Sequence, residues 1–156
     1  MVARSALGRR LGRLASPRAW RIGLASLAAT WALRGLREET PLDRIAGPWE
    51  AERGREPRNP GPEDVSIPRL VAGLPFFFYP LFPRTCLRRS LVLYRHLLRL
   101  GQDPELWVGL RKDGERLGGH AWVRLEGRIL GERPARVAAL SPLLVLRGGR
   151  IGRDSP

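Results

Sequence analysis

The sequence predicts an α+β domain, and three observations carry that prediction. Apolar residues recur at helical spacing up to Leu100, most regularly from Leu87 onward. From Pro104 to Glu132 the period changes to two, in short segments separated by turn residues. Gly101 stands between the two regimes, where a helix-ending glycine belongs. At 156 residues, 43% hydrophobic and 28% charged, the chain is one globular domain with enough apolar material for a core.

Residues 1–37 are rich in Arg, Ala and Leu and read as two helices separated near Ser16-Pro17, with Ser16 as cap and Pro17 at the first helical position. The apolar run from Ile22 to Leu33 is shorter than the ~20 residues a membrane span needs. Three readings of this segment compete: a signal peptide, a basic amphipathic helix on a membrane or partner, and helices packed on the core. A signal peptide lacks a small-x-small cleavage site before Arg34 and Arg37.

Residues 38–64, rich in Pro, Gly, Glu and Arg, read as a linker or long surface loop anchored at Trp49. Helical periodicity resumes from Glu63 to Leu74, with Val65, Ile67, Leu70, Val71 and Leu74 on one face. The aromatic, proline-broken stretch Leu74–Pro83 leads directly to Cys86 and is either core or pocket wall. Leu87, Leu91, Tyr94 and Leu98 then form the apolar stripe of the strongest helix, with Arg88, Arg95 and Arg99 toward solvent and His96 at the surface or at the edge of the stripe. Strands follow over Pro104–Lys112, His120–Leu125 and Arg128–Glu132, with Asp113–Gly118 as a loop. Residues 65–147 form the expected core, and residues 148–156 a disordered tail.

The net charge of +13 points to nucleic acid, an anionic membrane surface or an acidic peptide. Almost all of it is arginine, and Lys112 is the only lysine. These arginines are scattered rather than gathered into a stripe with stacking aromatics, which argues against nucleic acid. A single cysteine excludes an internal disulfide and fits a cytosolic protein. One cysteine and two histidines do not fill a structural zinc shell, so neither metal nor cofactor is expected.

The chemistry lies in Cys86, His120 and Glu132. With Thr85 as N-cap, Cys86 falls in a first helical turn, where unpaired N–H groups and the macrodipole favour an anion. Arg84, Arg88 and Arg89 surround it in sequence. His120 opens a strand in which Ala121, Val123 and Leu125 face one side and His120, Trp122 and Arg124 the other. A three-residue hairpin loop, Leu125-Glu126-Gly127, flanked by Arg124 and Arg128, would set Glu132 directly across from His120. A carboxylate there can accept from one imidazole nitrogen and leave the other for the thiol. Thiol, imidazole and orienting acid together are the requirements of thiol acyl transfer. The oxyanion would need backbone N–H groups around Cys86, and Gln102, the only glutamine, lies beyond the wrong end of the helix.

Arg-Thr-Cys-Leu-x-Arg-Ser-Leu-Val-Leu-Tyr at 84–94, Gly-Leu-Arg-Lys at 109–112 and Gly-His-Ala-Trp-Val at 119–123 resemble the transglutaminase-like cysteine peptidases. The nearest group is the B2 proteins of lasso-peptide biosynthesis, which are bacterial leader peptidases. The resemblance spans roughly residues 65–146. It implies a papain-like α+β fold with the cysteine at the N-terminus of a helix packed on a small antiparallel sheet, preceded by N-terminal helices. It further implies Cys86, His120 and Glu132 as a triad, with glutamate where relatives commonly carry aspartate. The implied substrate is a ribosomally made precursor peptide, and the implied partners are a separate B1-type leader-recognition protein and an ATP-dependent cyclase. Residues 1–64 do not resemble the leader-recognition domain. A cytoplasmic location follows, with peripheral contact of residues 1–37 at the inner membrane surface as a variant. Two other functions stay open: acyl transfer to an amine, and a basic membrane- or nucleic-acid-binding module with a non-catalytic triad.

Overall fold

A computed structural model describes residues 16–33, 40–72, 86–114 and 116–152. The expected first helix, the Thr85 cap, the Leu74–Pro83 stretch and the last four residues lie outside these. Helix α1, Pro17–Ala32, starts as its sequence predicts, with the Ser16 hydroxyl accepting from the Ala19 N–H at 3.0 Å and proline at the first position. Ala19, Ile22, Ser26 and Ala29 are buried along one face. Trp20, Leu24, Leu27 and Trp31 form a second stripe that is exposed, Trp20 by 65%. Among the described residues no helix is long and apolar enough to cross a membrane.

The expected linker 38–64 is instead built into the domain. It carries the short helix α2, Leu42–Ala46, a 3-10 helix, Gly47–Glu52, and the start of helix α3, Pro62–Ala72. Between them the backbone runs past the end of helix α4, Cys86–Arg99. There Gly54, Glu56 and Arg58 donate their N–H groups to the carbonyls of Leu98, Arg99 and Leu100 at 2.8–3.1 Å. Carbonyls at a helix C-terminus have no partner within the helix, so this segment supplies one. Two of its arginines are likewise paired: Arg53 with Glu50 and Asp103, and Arg58 with Asp64. Composition alone reads such a run as coil because the partners are about forty residues away in sequence.

Helix α4 is the central element. Leu91, Val92, Leu93, Tyr94, Leu97 and Leu98 are all at most 1% exposed, so the helix is enclosed on nearly every side. It ends in a Schellman motif: Gly101, at φ 78°, donates to the Leu98 carbonyl and Gln102 to that of Leu97. His96, expected at the surface or the stripe's edge, is buried (8% exposed), because Asp64 on α3 accepts from its Nε2 at 2.9 Å. The same carboxylate has no exposed side-chain surface and also accepts from Arg18, from both terminal nitrogens of Arg58 and from the Gly61 N–H. This knot joins α1, α3, α4 and the intervening loop.

Five antiparallel strands complete the fold: β1 Glu105–Asp113, β2 Arg116–Leu125, β3 Arg128–Leu130, β4 Ser141–Arg147 and β5 Arg150–Gly152. Their order is β3-β2-β1-β4-β5. The β1–β2 hairpin is tighter than expected, with Leu117 and Gly118 in the ladder rather than in a loop. The expected tail is also corrected, since Gly148 and Gly149, both at positive φ, turn the chain into β5. Leu106, Val123 and Leu146 pack on α4. On the other face Trp107 and Trp122, paired across the strands, stack at 6.1 Å beneath Val137 of the short helix α5, Pro134–Ala138. Gly109 lets the chains approach closely there, since a Cβ would meet the Trp122 ring and the Ser141 carbonyl at 3.0 Å.

Candidate active site

Cys86 is the first residue of α4, and the helix is docked against β2 by its first turns. The Cys86 Sγ lies 4.0 Å from the Gly119 carbonyl oxygen. One turn on, the buried Ser90 hydroxyl donates to the Ala121 carbonyl at 2.9 Å. His120 stands between these two anchor points on β2, so helix and strand present thiol and imidazole to one open cleft of about 1230 Å³. Glu132 lines the same cleft. All three residues selected from the sequence therefore border one cavity.

Glu132 arrives by a route the sequence does not predict. The hairpin loop has two residues, Glu126 (φ 49°) and Gly127 (φ 77°), and Leu125 pairs with Arg128. Two successive left-handed residues make a primed turn, whose twist matches that of the strands. The expected register is thus displaced by one, which in a continued ladder would move Glu132 to the other face. Strand β3 instead stops at Leu130, and Gly131, at φ 68°, turns the chain so that the Glu132 Oε2 comes within 3.7 Å of the His120 Nε2. That is ion-pair range and too long for a hydrogen bond, and the buried Nε2 has no other partner among the described residues.

What holds Glu132 is Arg69 of α3. Its Nη2 donates to Glu132 Oε1 at 2.8 Å and its Nη1 to the Leu130 carbonyl at 3.1 Å. The Arg69 side chain passes over Gly131, where any Cβ would overlap it. Sequence reasoning missed Arg69; an arginine among the apolar residues of a buried helix face was the available signal. Burial opposes the charge on Glu132, but the hydrogen bond and charge of Arg69 outweigh it and hold its carboxyl below the usual range. Burial pushes the His120 imidazole below its ordinary value, and Arg136 and Arg69 push the same way against Glu132. These influences favour the neutral imidazole, the form a general base requires. Gln102 lies at the far end of α4, where it donates to the Arg58 carbonyl, and takes no part in the cleft.

Among the described residues no cluster of three or more His, Cys, Asp or Glu side chains is arranged to hold a metal ion. No curated protein and no solved structure matched the chain. A family model described as transglutaminase-like superfamily matches residues 19–145, from α1 into β4, and so begins well before the region that carries the sequence resemblance. The superfamily consists largely of enzymes, cysteine peptidases and transglutaminases among them. With a match over most of its length, the chain belongs to the transglutaminase-like superfamily.

Proposed function

We propose that this protein is a cysteine peptidase that cleaves the leader from a ribosomally synthesised precursor peptide, as the lasso-peptide B2 proteins do. The observation that carries the reading is the single cleft bordered by Cys86, His120 and Glu132. In this mechanism neutral His120 takes the Cys86 thiol proton, the thiolate attacks the scissile carbonyl carbon, and the carbon–nitrogen bond breaks as His120 gives that proton to the leaving amine. A water, deprotonated by His120, then attacks the thioester and releases the acid and the thiol. With its Nε2 facing Glu132, the imidazole has Nδ1 left for the thiol. Backbone N–H groups in the first turn of α4 are the candidate oxyanion donors.

A B1-type recognition protein would deliver the leader, and an ATP-dependent cyclase would take the freed peptide. If an amine replaces water, the same thioester gives an amide bond. Incubating the chain with precursor peptides and a recognition protein, followed by mass spectrometry, tests the reading. Hydrolysis adds the mass of water across the product pair, whereas amine transfer from a primary amide releases ammonia. Full cleavage by Cys86→Ala would refute it.

A second function is supported by the exposed stripe of α1: a peripheral membrane contact, with Trp20, Leu24, Leu27 and Trp31 meeting the lipid and the +13 charge drawing the domain to an anionic surface. Flotation with anionic and with neutral vesicles tests it, and equal absence from both would exclude it.

A further inference from the structure

Among the described residues, the charges lining the cleft do not balance. Three arginines, Arg69, Arg89 and Arg136, and one carboxylate, Glu132, border it. Arg69 is matched to Glu132. Arg89 lies three residues after Cys86 on α4, hence on the same side of the helix. Its Nε is buried and has no hydrogen-bond acceptor among the described residues. Arg136 on α5 is exposed, and its charge reaches both His120 and Glu132 with no carboxylate in ion-pair contact among the described residues. By contrast, the partly buried Arg53, Arg58, Arg95 and Arg99 each contact a carboxylate. The segment 73–85, which leads into Cys86, contains no Asp or Glu.

We propose that Arg89 and Arg136 select an acyl donor that carries a carboxylate close to the scissile bond. A guanidinium with a buried, unpaired N–H is costly until an acceptor arrives, and a carboxylate matches its fork geometry. The substrate class is thus an acidic peptide rather than a neutral one. This rests on Cys86 being the accessible nucleophile, and the test separates the two statements.

Cys86 is the only cysteine, so its alkylation is read directly by mass. Iodoacetate and iodoacetamide deliver the same carbon, with and without a carboxylate, and thiolate attack expels iodide from each. The rate ratio of iodoacetate to iodoacetamide should exceed that of glutathione by about tenfold, given two cations beside the reacting atom. It should fall in Arg89→Gln and in Arg136→Gln, the latter an exposed site where folding is not at stake. N-acetylglutamate α-amide and N-acetylglycine, as competitors against iodoacetamide, separate a side-chain carboxylate from a chain terminus; protection by either supports the proposal. A ratio equal to that of glutathione, or one unchanged in both variants, would overturn it while leaving Cys86 as nucleophile. Labelling by neither reagent would bring down the nucleophile reading, and the carboxylate selection with it.

Discussion

Replacing Asp64 by Asn tests how the helix that carries Cys86 is held. The substitution keeps the size of the side chain but removes its charge and turns one acceptor into a donor. That donor would face Arg18, Arg58 or His96, all of which donate to Asp64 in the wild type. Because the carboxylate is fully enclosed, breaking this cluster from one side should cost ~3–5 kcal/mol, as buried charge pairs do. For a domain of this size that is a fall in Tm of about 6–20 °C. The pH dependence carries the sign. Burial opposes ionisation, yet Arg58, His96, the Gly61 N–H and Arg18 together depress the Asp64 carboxyl far below its ordinary range. A depressed carboxyl adds stability that is complete above its unfolded value of about 3.9 and is lost as pH falls toward the folded one. Thermal unfolding followed by circular dichroism should therefore show a constant gap between wild type and Asp64→Asn from pH 8 to pH 5, narrowing below pH 4. A gap under ~1 kcal/mol at pH 7, typical of an exposed pair, would refute the reasoning. The half-exposed Arg18 supplies the internal control: Arg18→Gln should cost no more than ~1 kcal/mol.

Other outcomes follow from the cleft and the core. Gly131→Ala puts a side chain at φ 68° and into Arg69, so peptide cleavage should be lost, at ~1–2 kcal/mol of backbone strain, while circular dichroism stays native. The His120 imidazole should titrate below the ordinary value of about 6.5 by NMR, and Arg136→Gln should move it upward by removing a nearby positive charge. A titration that does not respond to Arg136→Gln would contradict that account. Leu97→Ala, at a fully buried position in α4, should cost ~2–5 kcal/mol in denaturant unfolding.

What was legible in the sequence was what neighbouring residues decide. The apolar period of α4, its closing Gly101 and the alternation of β2 all follow from local pattern, and they place Cys86 and His120 on adjoining elements. Glu132 does line the cleft, but not through the expected register, because Glu126 takes a left-handed conformation more typical of Gly or Asn. His96 was misread because periodicity gives a residue's direction but not its partner, and Asp64 reaches it from another helix. The segment from Gly54 to Arg58 has no apolar pattern at all; its order comes from carbonyls on α4 that composition cannot register.

The knot at Asp64 also bears on how the chain acquires its structure during synthesis. Residues 17–72 leave the ribosome before α4, yet most of the enclosed leucines, the His96 donor and the open carbonyls they pack against belong to that helix and to Leu100 just after it. Until Leu100 has emerged, Ile22 and Ile67 have the small cluster they form with Ala19 and Val71, and Asp64 lacks one of its donors. Folding is thus a late, collective event rather than a stepwise one, and a chain released between residues 72 and 100 would expose its apolar faces together.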